Sequence, residues 1–324
     1  MKTVPHYQRW LEQEIAKQKF GKSPASLYEP IRYLMTLGGK RLRPMLTLLA
    51  YSLYKADVRR IVPAAVAVET FHNFTLMHDD IMDKAPLRRG KPTVHEKWST
   101  NTAILSGDVM LIKVYELFLS VQPGFLQPVL KAFNACAAQV CEGQQWDMEF
   151  EATERVSEKQ YLEMVRLKTA ALLGFSLQLG ALLGGAPEAD RRALRAFGIN
   201  IGIAFQLKDD LLDAFSDPGK FGKQVGGDIV ANKKTYLLIK ALENAKGKNR
   251  RELLYWLAAQ KFRKVEKIAA VRDIYEQLGI PLLVERKINQ YFRRAFQNLD
   301  RIAGNKFELS TLKDFTRSLS ERQS

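Results

Sequence analysis

Seven stretches of this chain repeat their apolar residues at every third and fourth position: 41–55, 62–83, 101–120, 124–150, 157–184, 188–215 and 280–302. That is the period of a helix with one face turned to a core. No segment shows the sustained apolar–polar alternation of a half-buried strand. The breaks are glycine- and proline-bearing: "LGGKRLRP", "KAPLRRGKP", "VQPG", "GGAPEAD", "SDPGKFGK" and "NAKGKN". Gly38-Gly39 suits the end of one helix and Pro187 the start of another. No linker is long or low enough in complexity to part domains. The sequence therefore predicts one all-α domain, residues 1–324, of roughly a dozen helices.

Composition narrows the function classes. Lys plus Arg number 50 against 35 Asp plus Glu, a net charge of +15. Such an excess points to a polyanionic partner: nucleic acid, a membrane surface or a phosphorylated small molecule. Cys136 and Cys141 are not spaced as a CxxC pair and are too few for a disulfide framework, which fits a reduced cytoplasm. The N-terminal "MKTVPHYQRWLEQEIAKQ" has no apolar core of the kind a secretory signal needs. One stretch, "TAALLGFSLQLGALLGGA" at 169–186, is apolar enough to span a membrane. Its Ser176, Gln178 and glycines favour a central core helix instead, so no transmembrane segment is expected.

Within the helical pattern one phrase recurs. "FTLMHDDIMD" at 74–83 is answered by "AFQLKDDLLD" at 204–213, each placing Asp-Asp-x-x-Asp at the end of an apolar helix. Asp79 and Asp83 are four apart and share a face, with Asp80 about 100° round the axis. Asp209, Asp210 and Asp213 repeat the arrangement. Carboxylates this close destabilise a helix C-terminus, where the dipole is already negative. A cation must compensate. Mg²⁺ suits the place: a hard ion taking oxygen ligands, commonly from one or two carboxylates, substrate phosphates and water. Zinc does not, because His72 and His78 lack a matching His/Cys set. A single Asp-Asp-x-x-Asp reads equally well as a solvated helix face; two copies flanked by basic residues do not.

The basic residues then have a purpose. A metal-bridged polyphosphate carries more charge than the metal cancels, and Arg88 and Arg89 can clamp the remainder. Lys168 with Thr169, Lys223, and Lys233 with Lys234 lie near the second cluster and can serve the same anion. "GGKRLRP" at 38–44 sets Lys40, Arg41 and Arg43 before a helix, as a second anion subsite. His72 lies two turns before Asp79 on the same helix and reads either as a core histidine or as part of that subsite.

In order and spacing, "GGKRLRP", "HDDIMDKAPLRRGKPTVH", "LKT", "FQLKDDLLD" and "GGDIVANKKT" resemble the trans-isoprenyl diphosphate synthases, over residues 30–240 or so. The resemblance implies an all-α bundle around a deep central cavity, usually homodimeric. It implies a Mg²⁺-dependent prenyltransferase, with three ions per active site that Mn²⁺ can replace. Asp79, Asp83 and Asp209 would hold the metal, with Asp80, Asp210 and Asp213 as further ligands or water partners. The allylic diphosphate (dimethylallyl, geranyl or farnesyl) would meet Arg88, Lys168, Thr169, Gln206, Lys223 and Lys233. Isopentenyl diphosphate would be held without metal by Lys40, Arg43, His72 and Arg89.

Charge developing on the leaving diphosphate is then stabilised by metal and cations. The allylic cation needs a dry pocket, for which Phe205 is a candidate aromatic face. No carboxylate stands apart as a base, so the released diphosphate takes the proton. A class I terpene cyclase shares the metal chemistry, but it has no use for a second diphosphate subsite at "GGKRLRP". A nucleic-acid-binding helical protein fits the charge but not cations gathered round acidic clusters, and an inert scaffold leaves the paired motifs unexplained. Phe74 and Phe71 stand five and eight residues before Asp79, about 7.5 and 12 Å down the helix. In the family a large residue at the Phe74 place limits elongation, and a second adjacent aromatic favours farnesyl. Here Thr75 is small and the first cluster lacks the insertion seen in many bacterial farnesyl synthases. Phe71 reads more readily as core packing. The expected product is farnesyl or geranylgeranyl diphosphate, with geranylgeranyl favoured.

Overall fold

The computed structural model describes residues 4–216 and 225–321, and nearly all of its regular structure is helical. In chain order the helices are α1 (Val4–Lys17), α2 (Ala25–Thr36), α3 (Leu42–Ser52), α4 (Val62–Met82), α5 (Val94–Lys97), α6 (Thr100–Phe118), α7 (Pro123–Ala152) and α8 (Glu158–Val165). After a π-helical turn at Arg166–Ala170 follow α9 (Ala171–Gly184), α10 (Glu188–Phe215), α11 (Gly227–Val230), α12 (Tyr236–Asn244), α13 (Gly247–Ala258), α14 (Lys264–Gln277), α15 (Ile280–Leu299) and α16 (Lys306–Glu321). A two-residue hairpin, β1 (Leu87–Arg88) and β2 (Lys91–Pro92), interrupts them. The fold is all-α. All seven periodic stretches are helical, with ends within a few residues of those expected.

Contacts divide the described residues into two compact units: 4–137, 172–198 and 298–321 form one, and 138–171, 199–216 and 225–297 the other. The first is built round α4, whose residues 64–68 are almost wholly buried. Four rings close its core: Phe133 lies 5.0 Å from Phe71, 5.2 Å from Phe118 and 5.8 Å from Phe175. Edge-to-face and tilted pairs of this kind suit the ring quadrupoles. Helix α9, the stretch that resembled a membrane span, is buried along nearly its whole length in the protein core. Its glycines act in packing. A Cβ at Gly180 would stand 2.1 Å from the Thr47 carbonyl oxygen of α3, so only glycine lets these helices approach.

The second unit has its own apolar core. Leu207 of α10, Leu237 of α12, Val271 and Ile274 of α14, and Ile280 and Val284 of α15 are each 2% exposed or less. Ser157 caps α8 by accepting from the Gln160 amide while Gln160 Oε1 accepts from the Ser157 amide, a reciprocal box that fixes where the helix begins. Eight residues on, the backbone of Lys168 presses against Gly143 of α7, where a Cβ would lie 2.2 Å from the Lys168 nitrogen. The π-helical turn sits at this close approach. It is a tertiary feature that periodicity did not show.

Candidate active site

In the first unit the site begins where α4 stops. Asp83 caps the helix, its amide donating to the Asp79 carbonyl at 2.9 Å, and Lys84 turns left-handed at φ 49°. The Ala85 amide reaches back to the Asp80 carbonyl at 2.9 Å, redirecting the chain into the hairpin. Arg89 and Gly90, at φ 54° and 72°, make the two-residue turn that such a hairpin needs.

The consequence is a division between two adjacent arginines. Arg88 folds back onto the aspartates, with Nε 2.7 Å from Asp80 Oδ2 and Nη2 2.6 Å from Asp80 Oδ1, and Nη2 3.9 Å from Asp79 Oδ2. Arg89 goes the other way, donating to the Gly38 carbonyl, with its guanidinium against Gly39. Burial raises the pKa of Asp80 although Arg88 opposes it. Asp79 and Asp83 keep more solvent access than Asp80.

Beneath the glycine turn, Arg43 Nη1 lies 3.0 Å from His72 Nε2. Burial, then the charges of Arg43, Arg89, Arg88 and Arg41, hold His72 well below its usual pKa. It is therefore neutral, and because a guanidinium can only donate, Nε2 must accept and Nδ1 carry the proton. Lys40 is exposed on the same turn. Arg41 is not part of an open anion surface, which corrects its place beside Lys40 and Arg43 in the second anion subsite. It is 3% exposed and held left-handed at φ 45°, donating to Glu12 at 3.0 Å, Glu69 at 2.8 Å and the Met35 carbonyl at 2.9 Å. The buried Glu69 and the more exposed Glu12 set its direction, and no motif spacing reveals either.

Lower on α4, Phe71 is 1% exposed in the ring core, as its packing alternative required. Phe74 is half-buried, 5.6 Å from Phe71 and 4.8 Å from the His78 ring, and Thr75 Oγ1 donates to the His72 carbonyl at 2.8 Å. His78 itself fills the space over Gly107 of α6, where a Cβ would lie 2.2 Å from its Nε2.

The second unit repeats the logic with different partners. Asp210 is buried, accepting from Tyr161 Oη and, at 2.9 Å, from Gln206 Nε2. Thr169 Oγ1 in turn donates to Gln206 Oε1 at 3.1 Å. Burial and then the Asp228 charge push Asp210 up to about 7, against the pull of those hydrogen bonds and Lys233. Asp209 is exposed, and Asp213 Oδ2 accepts from the Asp228 amide at 3.0 Å. In both motifs the middle aspartate turns inward to a protein partner. The outer two stand four apart on the other face.

A residue the motifs did not offer sits among the lysines. Asp147 of α7 accepts from Lys168 Nζ at 2.6 Å, with Lys233 Nζ at 3.8 Å. Burial raises its pKa, but Lys233 and Lys168 more than offset this and the carboxyl falls below its usual range. Asp147, Tyr161, Lys168, Thr169, Gln206 and Asp210 line one cleft, with Lys233 and Lys234 at its edge. The only sequence signal was a lone Asp in "EGQQWDMEFE". Phe205 packs its ring 6.0 Å from Phe292 of α15, and Lys223 lies outside the described residues.

Every outer donor in the two motifs is a carboxylate oxygen, and among the described residues no three His, Cys, Asp or Glu side chains close round a single metal position. Such a set fits a hard cation that takes most of its ligands from water and phosphate, and it does not fit zinc.

Residues 24–277 match the model of the polyprenyl synthetase family. A geranylgeranyl pyrophosphate synthase from Geoglobus acetivorans is 44% identical over 234 residues, covering 71% of this chain and 72% of that protein. A solved geranylgeranyl pyrophosphate synthase superposes with a TM-score of 0.95 at 43% identity, over the whole of both chains. A polyprenyl synthase from Caulobacter crescentus CB15, solved with calcium and isoprenyl diphosphate, gives a TM-score of 0.85 at 27% identity, over 99% of this chain and 95% of that one.

Proposed function

Because the chain belongs to the polyprenyl synthetase family, we propose that its charged residues divide between the two diphosphates of one condensation, an allylic one that ionises and an isopentenyl one that attacks. The activity itself follows from the family: the protein is a short-chain trans-isoprenyl diphosphate synthase, a prenyltransferase using isopentenyl and allylic diphosphates. The observation that carries the division is the hairpin, which sends Arg88 to the aspartates and Arg89 to the glycine turn.

On this reading Asp79, Asp83, Asp209 and Asp213 hold Mg²⁺, three ions in all, with Mn²⁺ able to substitute, while Asp80 and Asp210 orient their neighbours from within. Bound Mg²⁺ offsets the charge that grows on the allylic diphosphate as its C–O bond breaks. Arg88, Lys168 and Lys233 take the rest of that charge, with Lys223 assigned to the same anion. Lys168 is already aimed by Asp147, so little reorganisation is left for the moment of reaction. Thr169 and Gln206 are fixed to each other and to Asp210, which sets the cleft wall beside the leaving group.

Isopentenyl diphosphate is held by Lys40, Arg43 and Arg89. His72, being neutral, adds no charge there; it accepts from Arg43 and fixes its guanidinium. After the new C–C bond forms, the proton goes to the released diphosphate. Phe205 serves as an apolar wall. Phe74, half-buried and backed by Phe71, limits the chain to geranylgeranyl or farnesyl diphosphate, and the named relatives favour geranylgeranyl.

The chain acts as one catalytic domain in the cytoplasm, and as a homodimer. Support for the dimer comes from α6 and the residue after it, where Ile104, Leu105, Ile112, Tyr115 and Leu119 form an exposed apolar stripe, a face suited to a second copy. The test is incubation with Mg²⁺, labelled isopentenyl diphosphate and each allylic diphosphate in turn, with chromatographic sizing of the products. Geranylgeranyl diphosphate should dominate; chains beyond one further isoprene unit would overturn the Phe74 reading.

A further inference from the structure

The second unit carries a surface that the reaction does not use. Residues 246–266 hold seven Lys or Arg against two Glu, a net +5 of the chain's +15 in one helix, one turn and the start of the next. Lys248, Arg251, Lys261, Arg263 and Lys264 are all exposed. Among them stand three apolar side chains: Leu254, 45% exposed, Tyr255, 64%, and Val265, 76%. Arg251, Leu254, Tyr255 and Ala258 stand at positions i, i+3, i+4 and i+7, so α13 presents them on one outward stripe. The core side of the same helix is Leu253, fully buried.

We infer that this face, α13 with the turn into α14, docks the enzyme on an anionic lipid surface. Cations ringing exposed aliphatic and aromatic residues is the pattern of an interfacial contact, the apolar side chains entering the headgroup boundary and the lysines and arginines meeting lipid phosphate. Nucleic acid would use the charge and could stack on Tyr255, but it gains nothing from Leu254 and Val265. Protein interfaces are depleted in lysine, which is abundant here.

The patch is tied to the segment that precedes Lys233. Asn232 Nδ2 donates to the Leu257 carbonyl at 3.0 Å, and Lys267 Nζ donates to Asn232 Oδ1 at 2.6 Å and to the Val230 carbonyl at 3.2 Å. These bonds pin the α13–α14 turn to the segment bearing Lys233. A lipid surface bound here therefore lies next to that segment, and the prenyl diphosphate product is itself an amphiphile that partitions into lipid.

The test is co-sedimentation of the full-length protein, without substrate, with vesicles of phosphatidylcholine prepared with and without phosphatidylglycerol. Binding should require the anionic lipid and fall as salt rises. Each basic residue near such a surface contributes roughly fivefold. The triple variant Arg251→Ala, Lys261→Ala, Lys264→Ala should therefore lower partitioning about a hundredfold. Leu254→Ser, Tyr255→Ser, Val265→Ser should lower it at least about tenfold. Both should keep the parent's melting temperature and its turnover of soluble substrates. Equal binding to neutral vesicles, or parental partitioning by either variant, overturns the inference. So does labelled duplex DNA that binds as tightly as the vesicles and is lost in the same variants, or a change of oligomeric state in them.

Discussion

Replacing Asp147 by Asn tests whether the lysines of the second unit work because a buried carboxylate aims them. The substitution keeps size and an acceptor oxygen, and removes one charge. Lys168 loses a charge-assisted bond of 2.6 Å and keeps a neutral one, a difference of about 1–1.5 kcal/mol. Lys233 stands 3.8 Å away with 43% of its side chain exposed, so solvent screening limits its share to under about 1 kcal/mol. Together these amount to roughly 1–2.5 kcal/mol of lost positioning, or about 5- to 70-fold in kcat/KM for the allylic substrate. The KM for isopentenyl diphosphate, whose proposed contacts lie in the other unit, should move less than about twofold. Steady-state kinetics with each substrate varied in turn reads both quantities. An unchanged allylic kcat/KM, or an equal loss for both substrates, would refute the reasoning. The stability of the protein carries the matching signature. The folded-state pKa of Asp147 is depressed, so its stabilisation is complete above the ordinary Asp value near 4 and is lost as pH falls through the folded value. Acid unfolding of the Asn variant, followed by circular dichroism, should therefore lack part of the parent's dependence in that window.

Asp79→Ala or Asp209→Ala should lower turnover at least about a hundredfold, and chelation of divalent metal should abolish it; near-parental turnover of either variant with Mg²⁺ would sink the two-cluster reading. Lys40→Ala and Arg43→Ala should chiefly raise the KM for isopentenyl diphosphate, and Arg88→Ala and Lys168→Ala that for the allylic substrate. Arg41→Met should destabilise the protein by about 3–5 kcal/mol, because Glu69 would be left buried without its guanidinium; thermal melting measures this, and a change confined to kinetics would show that Arg41 faces substrate after all. Phe74→Ala should lengthen the product by at least one isoprene unit, and an unaltered product distribution would place the limit elsewhere.

The periodicity of apolar residues determined the long helices, because a 28-residue element such as α10 repeats its face too many times to be mistaken. The periodicity does not delimit the shorter α12, α13 and α14. Their faces turn over only two to four times and carry many charges, so only packing against the second unit's core selects them. The paired aspartates were equally plain, since four-residue spacing on a helix is a local property. What the spacing left open was direction. Asp80 and Asp210 look like their neighbours in the sequence, yet each turns inward to partners brought from elsewhere, Arg88 by a hairpin and Tyr161 from α8. Arg41 and Arg43 are two residues apart, and one is a buried strut while the other meets His72. Asp147 matched no motif. Its contact with Lys168 exists only because α7 passes the π-helical turn closely enough to put a carboxylate there, across a separation of 21 positions in the chain. Local chemistry named the acids and the cations; the burial of each charge, which decides whether it binds substrate or holds another side chain, came from the tertiary fold.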